Sequence, residues 1–253
     1  MSLDPHGFAA EALESSGESL ARIDLFTLGR RACASRDERL GHRGFFVRAR
    51  QLLAGGTWRG PRDAAESYAD ENDLGAQINH DNQLAGLDAA RAAGIQMLIA
   101  GRISPLARAA ADAGLRVVVR VPFRAGESDA ERLERLAEID GAPFSVWGAL
   151  PSPAGEPYGL DTLKLFALCR LSLPRVPHLL ADVGALGPRL AQMAFGFGAD
   201  ELFAPIVAER ALRLGANANN PALTRKEAAT LIRGAGLTAC ERLGSGALQE
   251  VNP

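Results

Sequence analysis

The chain has 253 residues, 47% hydrophobic and 23% charged, which suits a globular protein with a real core and excludes disordered, collagen-like and coiled-coil chains. A length of about 250 is what one α/β barrel fills, so a single domain over residues 1–253 is expected. A net charge of -2 and a pI of about 6.1 leave no basic footprint, so neither nucleic acid nor an anionic membrane is an expected partner.

The first 43 residues read as a helical N-terminal cap: Phe8, Ala9, Ala12, Leu13 and Leu20 recur at helical spacing, then Ile23, Phe26, Leu28 and Ala32 continue the pattern to Leu40. From 44 to 183, short apolar strands alternate with alanine-rich helices, the pattern of a parallel sheet covered by helices. Strands are predicted at Phe45–Ala49, weakly at Gly75–Asn79, and at Gln96–Ala100, Arg116–Val121, Phe144–Leu150 and His178–Val183. Helices are predicted at Asn82–Ala93, Pro105–Ala113, Ser128–Ile139 and Leu160–Ser172, with Asp81 and Ser128 as N-caps. Residues 184–253 read as C-terminal helices: Gly187–Phe195, Asp200–Leu214, and Thr224–Ala235 opened by a Thr224/Glu227 capping box. The expected fold is therefore an abbreviated TIM-like (β/α) barrel of about six parallel strands with helical extensions at both ends.

Three cysteines, Cys33, Cys169 and Cys240, are too few and too far apart for a disulfide framework or a metal knuckle, and fit a reduced cytoplasm. No charged segment precedes an apolar stretch and no run approaches the ~18 apolar residues of a membrane span, so an unexported cytoplasmic protein is expected. Only Lys164 and Lys226 offer an amine for Schiff-base chemistry. No P-loop, nucleophile elbow, HExxH or dinucleotide-binding glycine fingerprint occurs, and histidines at 6, 42, 80 and 178 are too scattered for a His-rich metal site.

The run from Lys164 to His178, then Leu186–Gln192, Phe197–Leu202, Thr224–Gly236 and Glu241-Arg242, resembles the radical S-adenosylmethionine enzymes of the futalosine route to menaquinone. The resemblance extends upstream to the strand and loop of Ala113–Ser128, and Leu28–Ala32 with Gly44–Arg48 are similar to the family's lead-in helix and first strand. It implies a barrel whose first loop carries three cysteines spaced C-x3-C-x2-C, the thiolate ligands of a [4Fe-4S] cluster. In this chain that place is taken by Ala49-Arg-Gln-Leu-Leu-Ala-Gly-Gly-Thr-Trp-Arg-Gly60, without a cysteine. No cluster, and no other cofactor, is expected.

Ligands of such barrels bind where strands end, so the candidates are Arg48, Arg50 and Gln51; Asn79, His80, Asp81 and Asn82; Arg102 and Ser104; Arg124 and Glu127; Ser152; and Asp182. Each has a local alternative. Asp81 or Asn82 suits a helix N-cap, Gly126–Asp129 is an ordinary helix start, and His178 opens a strand, at the end of a barrel where residues serve stability. Asp182 stands where the family carries an aromatic residue, and Glu209, kept from a family glutamate pair, suits a helix-face ion pair. Two functions follow as expectations. The first is a cluster-free homologue acting as a partner subunit of a cluster-bearing enzyme, a regulator or a small-molecule binder. The second is another enzyme class on the same barrel, with His80, Asp81, Glu127 and Asp182 converging for acid/base work. The sequence assigns no catalytic residue.

Overall fold

The computed structural model describes residues 20–53, 56–75, 83–124, 126–155, 159–207, 222–243 and 247–251. After a 3-10 turn at Leu20–Arg22, helix α1 (Leu25–Leu40) starts at Asp24, whose carboxylate accepts the Thr27 N–H, and leads into β1 (Arg43–Val47). β2 (Ala49–Leu52) follows after one residue, and turns back through β3 (Trp58–Arg59) before β4 (Glu66–Asp70). The short helix α2 (Glu71–Gly75) and α3 (Gln83–Ala92) precede β5 (Met97–Ala100); then α4 (Pro105–Asp112), β6 (Arg116–Phe123), α5 (Asp129–Asp140), β7 (Gly148–Pro153), α6 (Gly159–Ser172) and β8 (His178–Asp182) alternate regularly. α7 (Val183–Ala194) is kinked at Gly187, where φ is 75°, a value that glycine adopts freely. β9 (Glu201–Phe203), a small pair β10 (Ile206–Val207) and β11 (Leu223–Thr224), α8 (Arg225–Gly234), β12 (Thr238–Arg242) and β13 (Leu248–Glu250) complete the described chain.

Eleven strands form one sheet in the order β13-β12-β1-β9-β8-β7-β6-β5-β4-β2-β3. Only β2–β3 and β12–β13 are antiparallel. β1 and β2 are separated by Arg48 alone. The ladder that leaves this stretch through β4 therefore comes back to it through β9, with β12 on the other edge of β1, and the sheet curls on itself. Side chains alternate across it. Met97, Ile99, Val118, Leu150 and Leu180 face inward as a small inner core with Tyr68, Trp147 and Phe203 against it. Leu98, Val117, Val119, Ala149, Leu179 and Leu202 face outward into the larger core shared with the helices. The inner core is tight: a Cβ on Gly148 would meet Leu180 Cδ1 at 2.8 Å and Val118 Cγ2 at 3.4 Å.

Several expectations are corrected. The sheet has eleven strands and not about six, and residues 184–253 are not only helical. They supply β9, β12 and β13 to the sheet, and the helix predicted from Asp200 begins instead as strand β9. A strand as short as β9 shows no period of its own. The weak strand expected at Gly75–Asn79 lies, from residue 76 on, outside the described residues; β4 was not anticipated, because its inner face is polar (Glu66, Tyr68, Asp70) and hides the apolar signal. The other predicted helices from Pro105 to Ser172 stand within a few residues of their places, and Ser128 and Thr224 each close a capping box. Most of the helix expected from Phe8, and Glu209, lie outside the described residues. No helix among those described is long and apolar enough to cross a membrane.

Candidate functional site

The inside of the sheet is polar at both ends and apolar between. At the end where strands begin, Glu66, Arg116, His178 and Glu201 each open a strand and Trp147 directly precedes β7. Arg242, from the end of β12, reaches into this layer. Its Nη1 and Nη2 donate to the two oxygens of Glu201 at 2.8 and 2.5 Å, and its Nε donates to Glu66 Oε1 at 2.8 Å. The bidentate fork is the geometry guanidinium and carboxylate share. Arg116 closes on Glu66 from the other side, 2.8 Å to Oε2, and both guanidinium groups lie over the Trp147 ring, at 5.0 and 4.6 Å. Burial alone would lower the Arg242 pKa, but Glu201 and Glu66 outweigh it and hold the group above its usual value.

Asp200, fully buried beside this layer, accepts the Leu179 N–H at 2.6 Å, a bond from Arg170, and stands 2.7 Å from His178 Nδ1. Burial pushes its carboxyl up, and Arg170 and His178 overcome that and hold it below the ordinary 3.8. Donor atoms of His178, Asp200 and Glu201 lie within 4.8 Å of one another, as a metal would require. Each side chain is already engaged, by Arg170, by the Asp200–His178 contact or by Arg242. The arrangement is a charge-paired floor, with no free donor set for a metal among the described residues.

At the other end, where strands finish, a small open cleft lies between the β1–β2 stretch and the end of β9. Registered pairs put Arg59, Gln51 and Tyr68 side by side across β3, β2 and β4. All three line the cleft, opposite Phe203, Ala204 and Pro205. The Tyr68 hydroxyl donates to Gln51 Oε1 at 3.3 Å, Gln51 Nε2 donates to Asp73 at 3.2 Å, and Phe203 meets the Tyr68 ring edge-on at 5.3 Å. Asp182 registers directly opposite Phe203. Its Oδ1 caps α7, accepting the N–H groups of Gly184 and Ala185 at 2.8 and 3.3 Å. Asp70 and Arg120 pair at 2.8 Å beside it. Burial pushes the Tyr68 phenol up to about 12, helped by the Asp182 charge and opposed by Arg59 and Arg120. Burial also raises the Asp182 carboxyl, against its two backbone hydrogen bonds and Arg120.

Of the residues singled out from sequence, Gln51 lines this cleft, and Asp182 stands at the end of β8, in register with Phe203. Asn79, His80 and Asp81 lie outside the described residues. Arg102 is exposed in a loop whose Gly101 N–H and Ser104 hydroxyl are held by Glu71. Arg124 is exposed and its backbone N–H donates to Glu127 at 3.4 Å. Glu127 is taken up by α5: burial would raise its carboxyl, but a bond from Arg135 and the nearby Arg132 hold it low. It serves the helix start and has no spare oxygen for acid/base work in the mouth. Tyr68, Asp70, Arg59 and Arg120 were not anticipated. The signal was present in the alternation of Glu66, Tyr68 and Asp70 on β4 and of Arg116, Val118 and Arg120 on β6, which places each trio on one face of its strand.

The segment that stands where the resembling family has its cysteines is the β2–β3 hairpin. Gln51 pairs with Arg59 and Leu52 with Trp58, and Arg50 lies 4.1 Å over the Trp58 ring. At Gly60 a Cβ would meet the Arg50 backbone at 2.9 Å, so the chain closes tightly there. The three thiols sit in α1, α6 and β12. Burial raises the pKa of each, that of Cys169 to about 12, away from the thiolate a metal needs.

No family model matches the chain. It resembles the aminodeoxyfutalosine synthase of Thermus thermophilus, with 32% identity over 123 residues; the match covers 44% of this chain and spans only 33% of that relative's length. In fold it is similar to methylornithine synthase, with a TM-score of 0.65 at 11% identity over 90% of this chain and 96% of that one. It is also similar to HydG, a maturase of the [FeFe]-hydrogenase, with a TM-score of 0.60 at 9% identity over 92% of this chain and 74% of that one. At such identities the two structures speak for the α/β barrel-like fold alone.

Proposed function

We propose that this chain is a cluster-free relative of the menaquinone-route radical enzymes that performs no radical chemistry and serves a cluster-bearing enzyme as a small-molecule-binding partner or regulator. One observation carries the proposal: the segment where the family holds its iron is a closed β-hairpin without cysteine, pinned by Arg50 on Trp58 and by the close approach at Gly60. A [4Fe-4S] cluster needs thiolate ligands gathered on one loop. Residues 49–60 offer none, and the thiols present are spread over three elements and kept protonated by burial. The residues therefore do not fit the group. What supports a retained binding role is the mouth, whose polar side chains are presented to an open cleft. A floor of paired charges closes the other end.

The test is anaerobic reconstitution with iron and sulfide. The expected outcome is a protein without the broad visible absorbance of an iron–sulfur cluster and without bound iron and sulfide in proportion to protein. A cluster spectrum with matching iron content overturns the proposal.

A further inference from the structure

Helix α2 is a single turn, five residues from Glu71 to Gly75, and a helix so short is not stable on its own propensity. It is held by side-chain bonds, and these reach three other parts of the barrel. Asp70, just before it, accepts the Asn72 N–H at 3.2 Å and pairs with Arg120 of β6 at 2.8 Å. Glu71 commits both oxygens to the loop between β5 and α4, accepting the Gly101 N–H and the Ser104 hydroxyl, each at 2.8 Å. Asp73 accepts a bond from Nε2 of Gln51 in β2, whose oxygen takes the Tyr68 hydroxyl.

The two ends of this chain of bonds lie in different places. Gln51 and Tyr68 line the cleft. Ser104 is the N-cap of α4, where its hydroxyl accepts the Ala107 N–H at 3.1 Å, and Arg102 stands exposed in the loop that Glu71 holds. Glu71 and Asp73 are two positions apart, and such positions on a helix do not face the same way. The turn is therefore clamped between the cleft on one side and the loop on the other, with one carboxylate to each. A carboxylate that follows its partner moves the backbone that carries it, so the grip at one clamp depends on the other.

We infer that α2 is a relay that couples the cleft to the exposed loop between β5 and α4. Occupancy of the cleft that draws the Gln51 amide from Asp73 releases the turn, and Glu71 then loosens its hold on Gly101 and Ser104. The surface around Arg102 thereby registers an event inside the mouth, which is what a regulator or binding partner needs. That use rests on the proposed function, whereas the coupling itself does not.

Hydrogen exchange of the full chain, read amide by amide by nuclear magnetic resonance, tests the coupling without any ligand. Asp73→Ala cuts the clamp at the cleft, and Gln51→Ala cuts the same bond from its other partner and leaves α2 unaltered. Each is expected to speed exchange of the Gly101 and Ala107 amides by about fivefold, although neither residue is bonded to them. The amides of Val118 and Val119 in β6 should keep their rates, which shows that the fold is unchanged. Glu71→Ala cuts the second clamp directly and is expected to speed the same two amides further. Adding Asp73→Ala to Glu71→Ala should then change them no more, because a relay in series is already broken. Unchanged Gly101 and Ala107 rates in the cleft-side variants, or an undiminished Asp73→Ala effect in the Glu71→Ala background, overturns the inference. Should Asp73→Ala fail to fold, Gln51→Ala completes the same cycle with Glu71→Ala. Failure of the relay leaves the cluster-free reading untouched, and cluster formation in the separate reconstitution would defeat that reading and leave the exchange result standing.

Discussion

The two ends of the barrel use similar residues to opposite effect. On the floor every charge has its counter-charge: Arg242 with Glu201 and Glu66, Arg116 with Glu66, Asp200 with Arg170 and His178. At the mouth Asp70 and Arg120 pair, but Asp182 and Arg59 do not. Buried charge without a partner is costly, so a fully paired floor is what stability demands, and unpaired charge beside a cleft is what a ligand would satisfy. The lesson concerns the metal-like trio His178, Asp200 and Glu201. Composition and distance make it a conspicuous cluster among the described residues. Its hydrogen bonds show that it is structural, and the plainer residues at the mouth are the ones with chemistry to spare.

Four measurements test this contrast. Arg242→Ala strands Glu201 as a buried carboxylate and leaves Glu66 with Arg116 alone, and urea unfolding should show a loss of about 3–5 kcal/mol, the cost of removing one partner from a buried pair; a loss below about 1 kcal/mol would refute the floor as a keystone. The second is acid titration. Because the Asp200 carboxyl lies below its ordinary 3.8 in the fold, its contribution is full above that value and disappears as pH falls through the lower one. Thermal midpoints of the unaltered chain should drop across that acid range, and Asp200→Asn, already less stable at neutral pH, should lose the part of the slope this group supplies. Third, Gly148→Ala pushes a methyl against Leu180 in the inner core between the two ends, with an expected cost of about 1–3 kcal/mol by the same unfolding measurement.

The smallest effect belongs to the mouth. Asp182 has its carboxyl raised by burial, so the fold holds its proton longer than the unfolded chain does, and stability falls as pH rises from the ordinary 3.8 through the raised value. Asn caps a helix as well as Asp. Asp182→Asn should therefore melt slightly higher than the unaltered protein at neutral pH and equally in acid. A lower melting point at neutral pH would mean that the Asp182 charge supports the fold, and that the mouth is no different from the floor.

What the sequence disclosed depended on how far apart the interacting residues stand. Helix starts were legible because their chemistry is local: Ser128 with Glu131 and Thr224 with Glu227 are three residues apart and close as capping boxes. Met97–Ala100 and Arg116–Phe123 were legible because both sides of those strands bury apolar residues in their middle. β9 and β12 were not, since three and five residues of mixed polarity become strands only through β1, which gives each an edge. The site divides in the same way. Asp182 stands at the strand end where the sequence places it, because a strand end is a sequence feature. The importance of Arg242 rests on Glu201, which approaches it through the register of β1 with β12 and β9, and on Glu66, brought in by the pairing of β4 with β2, and no local pattern announces that meeting.

The placement of β12 against β1 has a bearing on biosynthesis. Arg43–Val47 are made early and finish one edge of their strand only with Thr238–Arg242, which leave the ribosome late. Until then β1 shows an open edge, and Glu201 lacks the guanidinium that neutralises it, while Glu66 has Arg116 alone. Contacts so distant in sequence form slowly, and an uncovered strand edge invites pairing with other chains. The nascent protein therefore has a long vulnerable interval that ends in one docking event, and chaperone demand should be concentrated in that interval.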